Sequence, residues 1–187
     1  TRYDVTALLP KRRGSTDPLV QARIPHEVRQ VFRTGGMNGS KAAHLRRRAD
    51  EWRGSARRPR TEAWHEELWD AEWMRVFGDS RYDWVADFSG YGPLWTSLLL
   101  HAPSPSGDKD GPAPTRAVWM HNEMAADRER TVHGKAPMRR SLGAVFAMYS
   151  EYDQLVSVSP QLAELNRAEL AEYAPADRFR TVRNFPD

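Results

Sequence analysis

The sequence predicts an α/β protein, a parallel sheet with helices on both faces. Three observations carry that expectation. Strand-like and helix-like segments alternate along most of the chain, as in βαβ units. The strand-like segments are short, largely apolar runs, as expected of strands buried on both sides. The 187 residues, 40% of them hydrophobic, can bury one core of ordinary domain size.

Each element has a local reason. "YDVTALL" (3–9) reads as a strand that ends at Pro10. "HEVRQVFR" (26–33) reads as a strand or a helical turn, broken by Gly35–Gly36 and Asn38–Gly39, and Ser40 is placed to cap a helix running to about Trp52. "RGSARRPR" (53–60) reads as a linker. A helix is expected from Thr61 to Phe77, with Trp64, Leu68, Trp69, Trp73, Val76 and Phe77 on one broad apolar face. "RYDWVADF" (81–88) is a strand, "SGYGP" a turn, and Pro93 suits the first position of the next helix. "APSPSGDKDGPAPT" (102–115) reads as a flexible surface loop. "RAVWM" (116–120) is a strand, 137–152 a helix opening on Pro137, and "DQLVSVS" (153–159) a strand. Ser159–Pro160 combines a capping residue with a first-turn proline for a helix to about Tyr173. "FRTVRN" (179–184) is the last strand.

Charge is unevenly spread. Residues 23–60 carry eleven Arg/Lys against three acids, and residues 61–91 carry eight acids against two arginines. The basic block reads either as a solvated face or as a contact for anionic lipid, phosphate or nucleic acid. A membrane surface suits it better than nucleic acid, since aromatic residues are not interleaved and no nucleic-acid module is recognisable. Cysteine is absent, which excludes a disulfide framework and any cysteine nucleophile or ligand. No apolar run reaches membrane-spanning length. A cytoplasmic location is expected.

In open parallel sheets, ligands bind beyond the carboxyl ends of the strands. Three such ends carry polar residues: Ser89–Gly90–Tyr91–Gly92, His121–Asn122–Glu123, and Ser157 with Ser159. His121 stands where a general base or a sugar- or phosphate-contacting group belongs. The alternative is a structural histidine. Asp83 and Asp87 would share a strand face, but Asp83 lies at the strand's start, so they are not read as a catalytic pair. The chain has no GxxxxGK[ST], GxGxxG, HExxH or GxSxG string.

The strings "RYDWVADFSGYGPLW", "AVWMHNEM", "FAMYSEYDQLVSVSPQLAELN" and "FRTVRNFPD" resemble, in that order, the N-terminal half of GT-B glycosyltransferases. The flavour is that of the family-4-like bacterial group linked to teichoic-acid and capsule polymers. The similarity covers residues 81–187 well and 1–80 loosely. It implies a Rossmann-like domain, 1–187, that holds the acceptor side of a cleft. Its first strand and glycine-rich loop are expected before residue 1. A second domain is expected to hold most of the nucleotide-sugar donor, with 179–187, including Arg183–Asn184–Phe185, starting the linker to it.

The resemblance implies His121 as the cleft histidine. It implies Ser89, Gly90, Tyr91, Gly92, Asn122, Glu123, Ser159 and Asn184 as substrate-contacting residues, with Gly90 letting a ligand approach the backbone and Ser159 heading a helix aimed at phosphate. It implies no cofactor. No Asp-x-Asp string is read in the chain, so no protein-bound metal is expected, and transfer on this architecture relies on helix dipoles and basic side chains. The expected partners are a nucleotide-sugar donor, a polymer or lipid-linked acceptor, and an anionic membrane surface met through residues 23–60 at the inner face of the plasma membrane, with no nucleic acid. Two alternatives stay open: a CDP-glycerol-type glycerophosphotransferase region of teichoic-acid synthesis, and a non-catalytic α/β module docking on membrane or partner.

Overall fold

A computed structural model describes residues 3–10, 23–33, 63–108 and 110–183, without the side chains of Pro10 and residues 63–68. The chain is α/β, with parallel sheets flanked by helices, consistent with a Rossmann-like fold. In chain order the elements are β1 (Thr6–Pro10), β2 (Arg29–Arg33), α1 (Ala63–Phe77), β3 (Trp84–Asp87), α2 (Pro93–Leu100), β4 (Thr115–Met120), α3 (Met124–Glu129), α4 (Arg139–Phe146), β5 (Gln154–Ser157), α5 (Pro160–Glu169) and β6 (Phe179–Thr181). Single 3₁₀ turns precede β5 and β6. The expected helix from Ser40, the 53–60 linker, Asn184 and most of the 23–60 basic block lie outside the described residues.

The strands form two sheets. β1 pairs with β2, and β3, β4, β5 and β6 line up in chain order, every pair parallel. A parallel neighbour needs a crossover, and α2, α3–α4 and α5 supply the three in the larger sheet. Side chains alternate across a strand. On one face, Val118 and Met120 of β4, Leu155 of β5 and Phe179 of β6 join Leu142, Val145 and Phe146 of α4, Met124 of α3 and Leu170 in a buried core. A second cluster joins Val85 of β3 to Leu98 and Leu99 of α2 and to Trp69, Trp73, Val76 and Phe77 of α1. Leu8 of β1 and Val31 of β2 pack on that second cluster, so the small sheet is tied to the large one through side chains.

Three expectations are adjusted. The single helix over 137–152 is a helix of eight residues followed by a 3₁₀ turn at Tyr149–Glu151. The break follows from i→i+3 bonds that replace the helical pattern, Met148 N–H to Val145 O at 3.0 Å and Glu151 N–H to Met148 O at 3.0 Å. The 102–115 segment is irregular up to Pro114 and held by its own turns, with Ser104 accepting from Arg81. The last strand, expected over 179–184, is Phe179–Thr181, β6, and the Val182 N–H extends its ladder to Ser157 O at 3.0 Å. Among the described residues no helix is long and apolar enough to cross a membrane.

Candidate functional site

The carboxyl end of β3 is shaped by one buried carboxylate. Asp87 is 4% exposed. Its Oδ1 accepts from Ser89 N–H, Ser89 Oγ and Gly90 N–H at 3.0–3.1 Å, and its Oδ2 accepts from Thr96 Oγ at 2.7 Å. The Asp-x-Ser-Gly order permits this, since an aspartate readily accepts from the backbone two residues on. The loop is therefore pulled back under the strand end and pinned to α2.

Gly90 adopts φ 66°, and a Cβ there would sit 2.6 Å from the Trp119 carbonyl oxygen. Glycine is required by β4's own backbone. This corrects the expectation that Gly90 opens the backbone to a ligand: the residue is buried, and the space is already filled by protein. Gly92 is close to Trp95 in the same sense, with a Cβ meeting that ring at 2.9 Å. Ser89 is exposed.

The β4 end meets this loop twice. His121 Nε2 donates to the Phe88 carbonyl at 2.9 Å. A carbonyl can only accept, so this bond places the ring proton on Nε2 and leaves Nδ1 as the acceptor. The ring is half-buried and lies edge-on to Phe88, centroids 4.8 Å apart. Asn122 Nδ2 donates to the Tyr91 hydroxyl at 2.8 Å, and that hydroxyl in turn donates to Asp127 Oδ2 on α3. Asp127 Oδ1 lies 3.6 Å from Arg130. Burial, then the hydrogen bond to Asp127, push the Tyr91 phenol above its ordinary pKa. Glu123 is exposed at the start of α3 and makes no side-chain cap.

A residue the sequence reading passed over holds this end in place. Asn166, on α5, is fully buried. Its Oδ1 accepts from Met124 N–H at 3.0 Å, and its Nδ2 donates to Asn122 O at 3.1 Å and Ser157 Oγ at 3.3 Å. One amide thus ties the ends of β4 and β5 to α5. Ser159 caps α5 as expected, Oγ accepting from Leu162 N–H at 3.2 Å, with Pro160 following. The cap uses one lone pair of that hydroxyl and leaves its own O–H to donate.

The structure therefore brings Ser89, Gly90, Tyr91, His121 and Asn122 together, and adds Asp87, Asp127, Arg130 and Asn166. Of these, Asp87 has a local signal, its Asp-x-Ser-Gly string, and Arg130 pairs with Asp127 three residues before it. Asp127 and Asn166 reach their other partners, Tyr91, Met124 and Asn122, across 36 to 44 residues. The expectation that the chain has no Asp-x-Asp string is corrected: Asp108–Lys109–Asp110 is one, in the 102–114 loop, where Asp108 accepts from the Asp110 backbone N–H at 3.2 Å. No group of three His, Asp or Glu side chains able to hold a metal occurs among the described residues.

A continuous aromatic row leads away from the site. Phe88 sits 5.5 Å from Trp119, and Trp119 sits 6.0 Å from Trp84. Together the polar residues can bind and orient a hydroxylated or phosphorylated ligand, with His121 Nδ1 available to take a proton. Compared with known proteins, the chain matches no family model and no curated relative.

Proposed function

We propose that this chain is the acceptor-side domain of a GT-B glycosyltransferase that uses a nucleotide sugar to build a bacterial cell-envelope polymer. The observation that supports this most is the joining of two strand ends at the carboxyl edge of a parallel sheet, through His121–Phe88 and Asn122–Tyr91. Such an edge suits a polyhydroxylated acceptor. Amide, phenol and carboxylate groups stand within one network, so hydroxyls can be both donated to and accepted from. In this reading His121 Nδ1 assists removal of the acceptor hydroxyl's proton, and Tyr91, Asn122 and Ser89 orient the acceptor. The Phe88 carbonyl keeps the imidazole in the tautomer a base requires. Donor contacts, including those of Asn184, belong to a second domain and the linker to it.

The experiment is transfer and hydrolysis with UDP- and CDP-linked donors, on this chain alone and on the chain joined to the segment that follows it in its gene. Turnover only in the longer protein is expected. Robust multiple turnover by the 187 residues alone overturns the half-domain reading. Transfer of glycerol phosphate instead of a sugar would replace it with the glycerophosphotransferase.

A further inference from the structure

Between α3 and α4 the chain makes a closed two-residue hairpin. Val132 N–H donates to Lys135 O at 2.8 Å, and Lys135 N–H returns to Val132 O at 3.1 Å. Its central residues, His133 at φ 51° and Gly134 at φ 72°, are both left-handed, as a type I′ turn demands. His133 is the one non-glycine residue in that region of φ among the described residues. The turn is exposed throughout, and Val132 keeps 49% of its surface in water.

Cations flank this tip in the sequence. Residues 127–140 hold Arg128, Arg130, Lys135, Arg139 and Arg140 against Asp127 and Glu129. Both acids are already engaged: Glu129 accepts from Arg139, with Arg128 at 3.5 Å, and Asp127 faces Arg130 and Tyr91. The Arg139 contact holds the Glu129 carboxyl below its usual pKa, so it stays ionised and paired. Lys135 and Arg140 are exposed cations with no ion pair among the described residues. The surplus positive charge therefore lies beside an exposed apolar tip.

We infer that this hairpin, with Lys135 and Arg140, docks the chain on a membrane rich in anionic phospholipid, Val132 entering the headgroup layer and the cations meeting lipid phosphates. Charge complementarity selects the partner: the tip's surplus cations match anionic phospholipid headgroups, and the tip carries no Phe, Tyr or Trp beside its one imidazole, His133. The hairpin base adjoins the candidate site, since Asp127 holds Tyr91 and pairs with Arg130. The inference stands apart from the glycosyl-transfer reading: a chain that binds vesicles yet transfers nothing keeps this one and loses that.

The test is co-sedimentation of the 187-residue chain with two vesicle types, phosphatidylcholine alone and phosphatidylcholine with roughly one-third phosphatidylglycerol. Binding is expected only to the anionic vesicles and should weaken as salt rises. Neutralising one cation near such a surface costs about fivefold in partitioning, so Lys135→Gln with Arg140→Gln should cost about 25-fold. Val132→Ser should cost several-fold more. The Arg46–Arg48 block stays intact in every arm, and unchanged melting temperatures confirm folding. Unchanged binding by the double variant overturns the inference. So does capture by duplex DNA as strong and as salt-dependent as that by anionic vesicles.

Discussion

His121 Nε2 and the Phe88 carbonyl oxygen are 2.9 Å apart, a bond that ties the end of β4 to the loop after β3. The imidazole is thus held by backbone through one nitrogen, and in the neutral ring the other carries the lone pair. A histidine buried only for structure would have both nitrogens engaged and its ring enclosed. This one is half-buried.

Replacing it separates the two roles. His121→Ala removes one hydrogen bond at a half-exposed position, worth about 1 kcal/mol, and should lower the melting temperature by only a few degrees. Under the glycosyl-transfer reading proposed above, the same change should cut kcat/KM by at least about 10²-fold. Near-normal turnover, or a much earlier melt, assigns the residue to the fold alone.

Asn166 is expected to behave in the opposite way. Asn166→Ala strands the Met124 N–H and the Ser157 hydroxyl in a buried interior and releases the Asn122 carbonyl at a half-buried position, and should destabilise by about 2–4 kcal/mol. Asn166→Asp keeps the acceptor for Met124 but loses both donors and buries a charge, so it should not rescue. Urea denaturation measures both. A loss under about 1 kcal/mol for the alanine variant means the amide is not what joins the β4 and β5 ends.

What the sequence disclosed follows the range of the interaction involved. Ser159–Pro160 was legible because a cap and its helix lie within four residues, and β4 was legible from "RAVWM" alone. Helix α3 was not: only Met124 of its residues is buried, and its charged remainder reads as loop. The helix is fixed by Asn166, 42 residues downstream, and by Tyr91, 36 residues upstream of Asp127. Gly90 was noticed for the right property and given the wrong partner, because the Trp119 carbonyl that needs the space lies on another strand. Sequence periodicity finds faces, and only the packed sheet shows which backbone passes over which glycine.

Gly90→Ala tests that packing. The added Cβ meets the Trp119 oxygen at 2.6 Å on a left-handed backbone, so β3 and β4 must separate or the loop must leave Asp87. A loss of about 2–4 kcal/mol is expected by thermal or urea unfolding. Ser89→Ala removes one of the four bonds to Asp87 at an exposed residue and should cost about 1 kcal/mol or less. Equal effects of the two changes would mean that the loop is fixed by Asp87 rather than by the close passage of β4.

Alkaline pH should unfold the chain through its buried phenols. Tyr149 and Tyr152 are fully buried; Tyr149's hydroxyl has no partner among the described residues, and Tyr152's donates to Thr96 O at 2.6 Å. Burial, then the Asp87 charge, push both well above the ordinary tyrosine value, and burial raises Tyr91 too. Raised folded pKa values mean that the neutral phenol is the form the fold favours. Their contribution is complete below the unfolded value of about 10 and is lost as pH rises above it toward the folded values. Phenolate absorbance and circular dichroism, followed together from neutral pH upward, read this directly. At least two of the six tyrosines should resist ionisation until helical signal falls, and should then ionise with it. Six phenolates in a chain that still holds its secondary structure would mean that water reaches the space between α4 and the sheet, and that the core around Tyr149 is not closed.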